Sequence, residues 1–233
     1  MKGGITGYLK NYSCPRCKKN WGYFFKDEMG GTYFCGEDDC LQDDCSASKG
    51  IEDKQASMRP STVIDKMGVG GRYRGATLAT CRIEPEDSTK VMKWINKPDN
   101  FLIFLGSPGI GKTYFCCAIA EYLENKTKKD IKYTNPRRFY ENIQQAIASG
   151  KNQYDAVRRY GESEVLIFDD LGSSTCSAWQ QEVTFDLIDQ RYSANLPTII
   201  TSNLTFDEME NSFDKRLRRR LDNDDNITIE IFG

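Results

Sequence analysis

The sequence predicts an α/β fold, a parallel five-stranded sheet flanked by helices, preceded by a small cysteine-rich module. Four observations predict it. Five short apolar runs, FLIFL (101–105), IKYT (131–134), VLIF (165–168), TIIT (198–201) and ITIEIF (227–232), are separated by longer connecting stretches. YFCCAIAEYL and EVTFDLIDQRY within those stretches have helical periodicity, and strands joined through helices lie parallel. The first run opens directly onto a glycine-rich loop followed by a helical pattern. Finally, five of the nine cysteines fall within the first 45 residues, which sets that segment apart.

The module is read as residues 1–48. CPRC holds Cys14 and Cys17, and after 17 residues YFCGEDDC supplies Cys35 and Cys40, a spacing close to that of a zinc ribbon. The chain has no histidine, so such a site is all-cysteine. Cys14, Cys17, Cys35 and Cys40 are the expected zinc ligands, with Cys45 an alternative to Cys40; a metal-free module or an iron–sulfur cluster would draw on the same residues. WGYFF and TYF between the pairs would supply short strands and a small core that needs the metal to fold. Ser, Gly, Lys and Met then dominate SASKG and MGVGG, so 49–70 is expected to be a linker and 71–233 the second unit.

The first strand runs into GSPGIGKT, which fits G-x-x-x-x-G-K-[ST] in the strand–loop–helix context that this phosphate loop requires. Gly106, Ser107, Pro108, Gly109, Ile110 and Gly111 would wrap the phosphates of ATP with backbone N–H groups, up to Tyr114 on the helix beyond. Lys112 would neutralise the terminal phosphates and the Thr113 hydroxyl would ligate magnesium. Cys116 and Cys117 on that helix are expected in the core, and Cys81 and Cys176 are read as structural.

VLIFDDLG puts Asp169 and Asp170 at the carboxyl end of an apolar strand, where parallel sheets build their sites. Asp169 would share the magnesium with Thr113, and Asp170 would orient or deprotonate the attacking water. That second role more often belongs to Glu, and the shorter reach of Asp predicts slow hydrolysis. The TIIT strand is expected between the phosphate-loop strand and the acidic strand, its polar tip Ser202–Asn203 near the γ-phosphate. Asn203 could contact both water and phosphate, or cap the helix beginning near Phe206.

Two basic stretches follow different patterns. In KRLRRRL (215–221), Leu217 and Leu221 share one helical face while Arg216, Arg219 and Arg220 cluster on another. A solvated helix end paired with Asp222, Asp224 and Asp225, or single-strand contacts from Arg218 or Arg219, would suit the same residues. KTKKDIKYTNPRRF (126–139) carries six Lys or Arg against one Asp, with Tyr133, Phe139 and Tyr140 nearby, a mixture of charge and stacking surface that single strands bind; a solvated charged face is the alternative.

RYRGAT (72–77), GSPGIGKT, LIFDDLG, IITSNL and KRLRRRL occur in the order and spacing of one group. Over about two-thirds of its length the chain resembles the AAA+ ATPases of the DnaC/DnaI helicase-loader clade, which also includes the IstB transposition helpers. The resemblance implies that KRLRRRL carries an arginine finger completing a neighbouring subunit's ATP site, with Arg220 as the finger and Arg216 as its partner. Catalysis would then rest on Lys112, Asp169, Asp170, Asn203, Arg216 and Arg220. It also implies self-assembly through ATP-bridged ATPase domains, single-stranded DNA along the inner face near Arg137 and Arg138, and docking of the N-terminal module, aided by GEDDCLQDDC, on a hexameric replicative helicase. After ITIEIF the sequence stops at Gly233, so the helical lid of other AAA+ proteins, with its sensor arginine, is expected to be absent. The implied function is ATP-dependent loading of that helicase onto single-stranded DNA; a transposition helper and a non-hydrolysing, nucleotide-gated replication adaptor are the alternatives.

Composition limits the remaining possibilities. A net charge of −2 means that any nucleic-acid role rests on local patches. The lack of histidine excludes Ser–His and Cys–His catalytic pairs. No apolar run approaches the roughly 20 residues that span a bilayer, and MKGGITGYLKNYSC has no signal-peptide core. The expected location is the bacterial cytoplasm, or a host's if the protein is phage-encoded, with no membrane partner.

Overall fold

A computed structural model of the chain describes residues 8–9, 12–13, 20–21, 23–26, 32–35, 62–81, 83–127, 129–173 and 175–231, with backbone alone for those before 63. In the cysteine-rich segment β1 (Tyr8–Leu9), β4 (Tyr23–Lys26) and β5 (Thr32–Cys35) form an antiparallel sheet in the order β1-β4-β5. A second pair joins β2 (Tyr12–Ser13) to β3 (Asn20–Trp21). Strands thus form at WGYFF and TYF, where aromatic residues favour the pleated state. Cys14, Cys17, Cys40 and Cys45 lie outside the described residues, and of Cys35 only the backbone in β5 is described.

The stretch expected to be a linker carries a helix near its end. Residues 62–67 form helix α1 (Thr62–Met67), and Val63, Ile64 and Met67 are buried in one core with Leu102, Phe104 and Phe115. Three apolar side chains on one short helical face outweigh the Gly-rich, linker-like composition around them. The core that contains Leu102 and Phe104 therefore reaches back to Val63.

Two 3₁₀ turns, Gly71–Tyr73 and Leu78–Thr80, lead to α2 (Pro85–Asn96), which has Pro at its first position and Glu86 and Asp87 against its positive end. The central sheet contains β6 (Phe101–Gly106), β7 (Ile131–Thr134), β8 (Val165–Leu171), β9 (Thr198–Ser202) and β10 (Ile227–Ile231). It is parallel throughout, in the order β10-β6-β9-β8-β7, with β9 between the phosphate-loop and acidic strands. Both faces are covered, so the strands are apolar on both sides. Leu102 and Phe104 point into a layer with α1, α2 and α3 (Lys112–Thr127). Phe101, Ile103 and Leu105 point into the opposite layer. There they meet α4 (Pro136–Ala148), α5 (Gln153–Gly161), α6 (Ala178–Ser193), α7 (Phe206–Ser212) and α8 (Lys215–Leu221).

One charged side chain ties the second layer to the sheet. Arg191 of α6 is fully buried and donates to the carbonyls of Tyr160, Gly161, Ser163 and Pro197 and to Thr198 Oγ1. It joins the end of α5 to the entrance of β9 using carbonyl dipoles in place of a carboxylate. Burial pushes its pKa down to about 9, which still leaves it a cation at neutral pH. Among the described residues no helix is long and apolar enough to cross a membrane.

Candidate nucleotide site

The strand order places the carboxyl ends of β6, β9 and β8 side by side. Gly106 leaves β6 so close to β10 that a Cβ there would lie 1.9 Å from the Ile231 carbonyl oxygen, and its φ of 154° also suits glycine. The loop then turns through Gly109 and Gly111, both at positive φ, and delivers Lys112 and Thr113 to the start of α3.

Lys112 is buried, and its ammonium donates to the carbonyls of Gly106 (2.6 Å) and Ser107 (2.8 Å) and to Asn203 Oδ1 (2.7 Å). Burial lowers its pKa, against the upward pull of Asp170 and Asp169. The Asn203 amide joins the two signs of charge, because its Nδ2 donates to Asp170 Oδ1 at 2.9 Å. Asn203 does not cap the next helix; Thr205 holds that place, its hydroxyl accepting from Glu208 N. Ser202 is fully buried and donates to the Leu171 carbonyl, so it braces the strand ends from within.

Asp169 is buried, and its carboxylate accepts from three hydroxyls: Thr113 (2.9 Å), Tyr133 (2.8 Å) and Thr201 (2.6 Å). Thr113 and Asp169 together offer the hard oxygen donors that magnesium takes. Between Phe168 and Leu171, β8 advances three residues while β9 advances two, from Ile200 to Ser202, leaving one extra residue on β8. Asp170 sits in this bulge at φ 64°, a conformation that Asp and Asn tolerate best among side-chain-bearing residues. Its N–H donates to Thr201 Oγ1. Burial and then Asp169 raise its carboxyl pKa, opposed by Lys112, Ser173 and Asn203. A carboxylate with a raised pKa beside a lysine and an amide is equipped to accept a proton.

These groups line a cleft of about 740 Å³, which the phosphate loop shares with a second wall: Gly68–Gly70, Arg72, Tyr73, Tyr133, Asn135 and Arg138. Arg216 and Arg220 are not on it. On α8, Leu217 and Leu221 are buried as the periodicity predicts. Arg216 pairs with Asp214 and Glu182, and Arg220 with Asp189 at 2.8 Å. Arg216 also lies over the Phe185 ring at 4.3 Å. Of the acidic residues next to the helix, Asp222 pairs with Arg218.

The stacking surface expected at 126–139 is not formed. Phe139 and Tyr140 are buried, since α4 turns them with Ile143 into the core, and the Tyr133 hydroxyl is engaged by Asp169. Arg137 is exposed and pairs with Glu141, whereas Arg138 turns back to the cleft. Tyr133 and Thr201 escape sequence reasoning because strand residues reach a site only through register. Cys116 and Cys117 are buried, and burial raises both thiols, Cys117 to about 12.

The model of the IstB-like ATP binding protein family matches residues 84–220, from α2 through Arg220 and including every strand of the sheet but β10. The chain belongs to this family. This IstB-like chain is 25% identical over 195 residues to the replicative helicase loader DnaC of Buchnera aphidicola subsp. Schizaphis graminum, covering 79% of each sequence. It is 23% identical over 186 residues to the DnaC of Escherichia coli K12, covering 75% of this chain and 74% of that one. In fold it is similar to a crystal structure of the DnaC helicase loader, with a TM-score of 0.61 and 23% identity, covering 70% of this chain and 99% of the other. It is also similar to AMPPCP-bound DnaA from Aquifex aeolicus, with a TM-score of 0.56 and 18% identity, covering 75% and 51% respectively. The α/β fold with its five-stranded parallel sheet is thus similar to that of the DnaC and DnaA structures.

Proposed function

We propose that this IstB-like chain is an ATP-dependent loader of a hexameric replicative DNA helicase, placing it on single-stranded DNA in the cytoplasm and hydrolysing ATP slowly between stacked subunits. The observation that carries the reading is Asn203 bridging Lys112 to Asp170 beside the Thr113–Asp169 pair, in a chain related to helicase loaders along most of its length.

In this reading the backbone from Gly106 to Gly111, with Tyr114 beyond, holds the nucleotide, and Lys112 neutralises its terminal phosphates. Thr113 and Asp169 hold magnesium, which supplies charge neutralisation on the phosphates when bound. Asp170 takes the proton of the attacking water while Asn203 orients it. Arg220, with Arg216 beside it, reaches the site of the next subunit, since neither lines its own cleft. The cysteine-rich module, held by zinc through Cys14, Cys17, Cys35 and Cys40 or Cys45, docks on the helicase, and exposed Arg137 contacts the strand.

Native mass spectrometry of the full chain with ATP and magnesium, alone and mixed with a replicative helicase hexamer, tests both halves. The expected species is a nucleotide-bearing complex with one zinc per loader chain. Nucleotide uptake without helicase binding would sink the loader reading. It would favour the transposition-helper reading and leave the nucleotide half intact.

A further inference from the structure

We infer that Arg138 is a second anchor for the phosphate tail of the nucleotide, admitted to the cleft by the missing side chain at Gly68. The inference deepens the nucleotide reading above and rests on it.

Arg138 follows Asn135, which caps α4, and Pro136, so its backbone is fixed by the helix start: its own N–H donates to Asn135 Oδ1 at 2.9 Å. The side chain does not follow Arg137 outward. Its NH1 donates to the Met67 carbonyl at 2.9 Å, the end of α1, and the guanidinium lies 6.0 Å from the centre of the Tyr133 ring. The hydroxyl of that ring donates to Asp169, which also accepts from Thr113 of the phosphate loop. Arg138 therefore stands on the second wall of the cleft, next to the tyrosine that reaches the Asp169–Thr113 pair.

Gly68 makes this position possible. It has φ 63°, and a Cβ built on it would stand 3.1 Å from Arg138 NH2 and 3.4 Å from NH1. Met67 and Gly68 form a backbone cradle: a carbonyl takes one guanidinium nitrogen, and a bare Cα leaves room for the other. The Met67 bond engages one nitrogen of the fork, and a guanidinium fixed along one edge presents its remaining donors in the planar pattern that matches phosphate oxygens. The charge balance of the lining agrees. Lys112, Arg72 and Arg138 are its cations and Asp169 and Asp170 its anions, three against two, and Arg72 is directed at Tyr73, donating to its hydroxyl and lying over its ring. The lining thus carries an excess of positive charge, and a polyanion entering the cleft meets Arg138 as well as Lys112.

The test is equilibrium binding of N-methylanthraniloyl-ATP with magnesium to the full chain, with inorganic tripolyphosphate and adenosine as competitors. Wild type, Lys112→Ala, Arg138→Ala, Arg138→Gln and Gly68→Ala are compared, each first checked for a cooperative thermal transition. Loss of one charged hydrogen bond weakens both the labelled ATP and tripolyphosphate by about tenfold or more in the Arg138 variants, with adenosine unchanged. Gly68→Ala presses a methyl to 3.1 Å from the guanidinium and weakens both ligands in the same direction by a smaller factor, and it keeps the inference testable should Arg138→Ala not fold. Weaker ATP binding with unaltered tripolyphosphate binding would assign Arg138 to the base or ribose and overturn the inference. Unaltered binding of both, with Lys112→Ala defective, would overturn it while leaving the nucleotide reading intact. Unaltered binding in Lys112→Ala would bring down both.

Discussion

Asp170→Asn separates chemistry from structure at this site better than any other substitution in the cleft. Asn is isosteric, tolerates the φ of 64° that Asp170 adopts in the bulge, and keeps an oxygen to accept from Asn203 Nδ2. The expected change in folding stability is therefore under about 1 kcal/mol, whereas Asp170→Ala adds roughly 1–2 kcal/mol for a left-handed residue with a Cβ. Nucleotide affinity should hold or tighten, since an anion beside Lys112 is removed. Turnover should fall by about 10²–10⁴, equivalent to roughly 2.7–5.4 kcal/mol of barrier at 1.36 kcal/mol per decade. The pH profile supplies a second mark. With the Asp170 pKa raised by burial and Asp169, the acid limb of turnover lies above the ordinary aspartate value, the rate rising as the proton leaves. The linked stability term has the opposite slope. A carboxyl whose folded pKa is raised favours folding at low pH and loses that contribution as pH rises through the folded value; the Asn variant lacks both effects. Phosphate-release kinetics across pH, with nucleotide titrations alongside, would measure this. Turnover within twofold of wild type in Asp170→Asn would refute the assignment of Asp170 as the base.

Tyr133→Phe removes one of three hydroxyls that Asp169 accepts, and should weaken magnesium-dependent ATP binding by about tenfold while magnesium-free binding changes less, as titrations with and without the ion would show. Gly106→Ala forces a methyl onto the Ile231 carbonyl, 1.9 Å away, and should cost about 3 kcal/mol, or roughly 6–12 °C in thermal midpoint by calorimetry. Arg191→Met removes the guanidinium donors from four carbonyls and the Thr198 hydroxyl in the core, and should cost about 3–5 kcal/mol in urea unfolding; a loss below 1 kcal/mol would mean that desolvating the guanidinium cancels its bonds.

The strands were legible because a sheet covered on both faces leaves uninterrupted apolar runs, and FLIFL and VLIF are buried at every position. The position of β9 was also legible, since a polar tip on TIIT suits a strand ending beside the phosphate loop. Helix α1 was hidden by its brevity: TVIDKM carries too few residues to show a period, and Gly68, Gly70 and Gly71 beside it signal a linker. Helix phase decided the basic segment. Arg137 and Arg138 are adjacent in sequence, yet one pairs with Glu141 in solvent and the other reaches Met67, while Phe139 and Tyr140 turn into the core. Composition sums over faces that the helix keeps apart.

The same point bears on which arginine of α8 would act across the proposed subunit interface. Glu182, Asp186 and Asp189 of α6 share a helical face, and burial followed by Glu182 pushes the Asp186 carboxyl up. Arg216 and Arg220 lie against that helix, whereas Arg219 is exposed with no ion pair among the described residues. Pairing does not disqualify Arg220. The Arg220 and Asp189 side chains are 32% and 36% exposed, and solvent screening leaves such a pair roughly 0.2–1 kcal/mol, far below what a finger gains at a γ-phosphate. Freeing Arg220 by Asp189→Asn should therefore leave turnover within about threefold of wild type, while Arg220→Ala lowers it by about 10³. Mixing Arg220→Ala with Lys112→Ala should restore part of it, because each variant supplies the half-site that the other lacks. If Arg219→Ala carries the loss and Arg220→Ala does not, the finger is the exposed arginine, and the ion pairs of Arg216 and Arg220 serve to lock α8 in the phase that presents it.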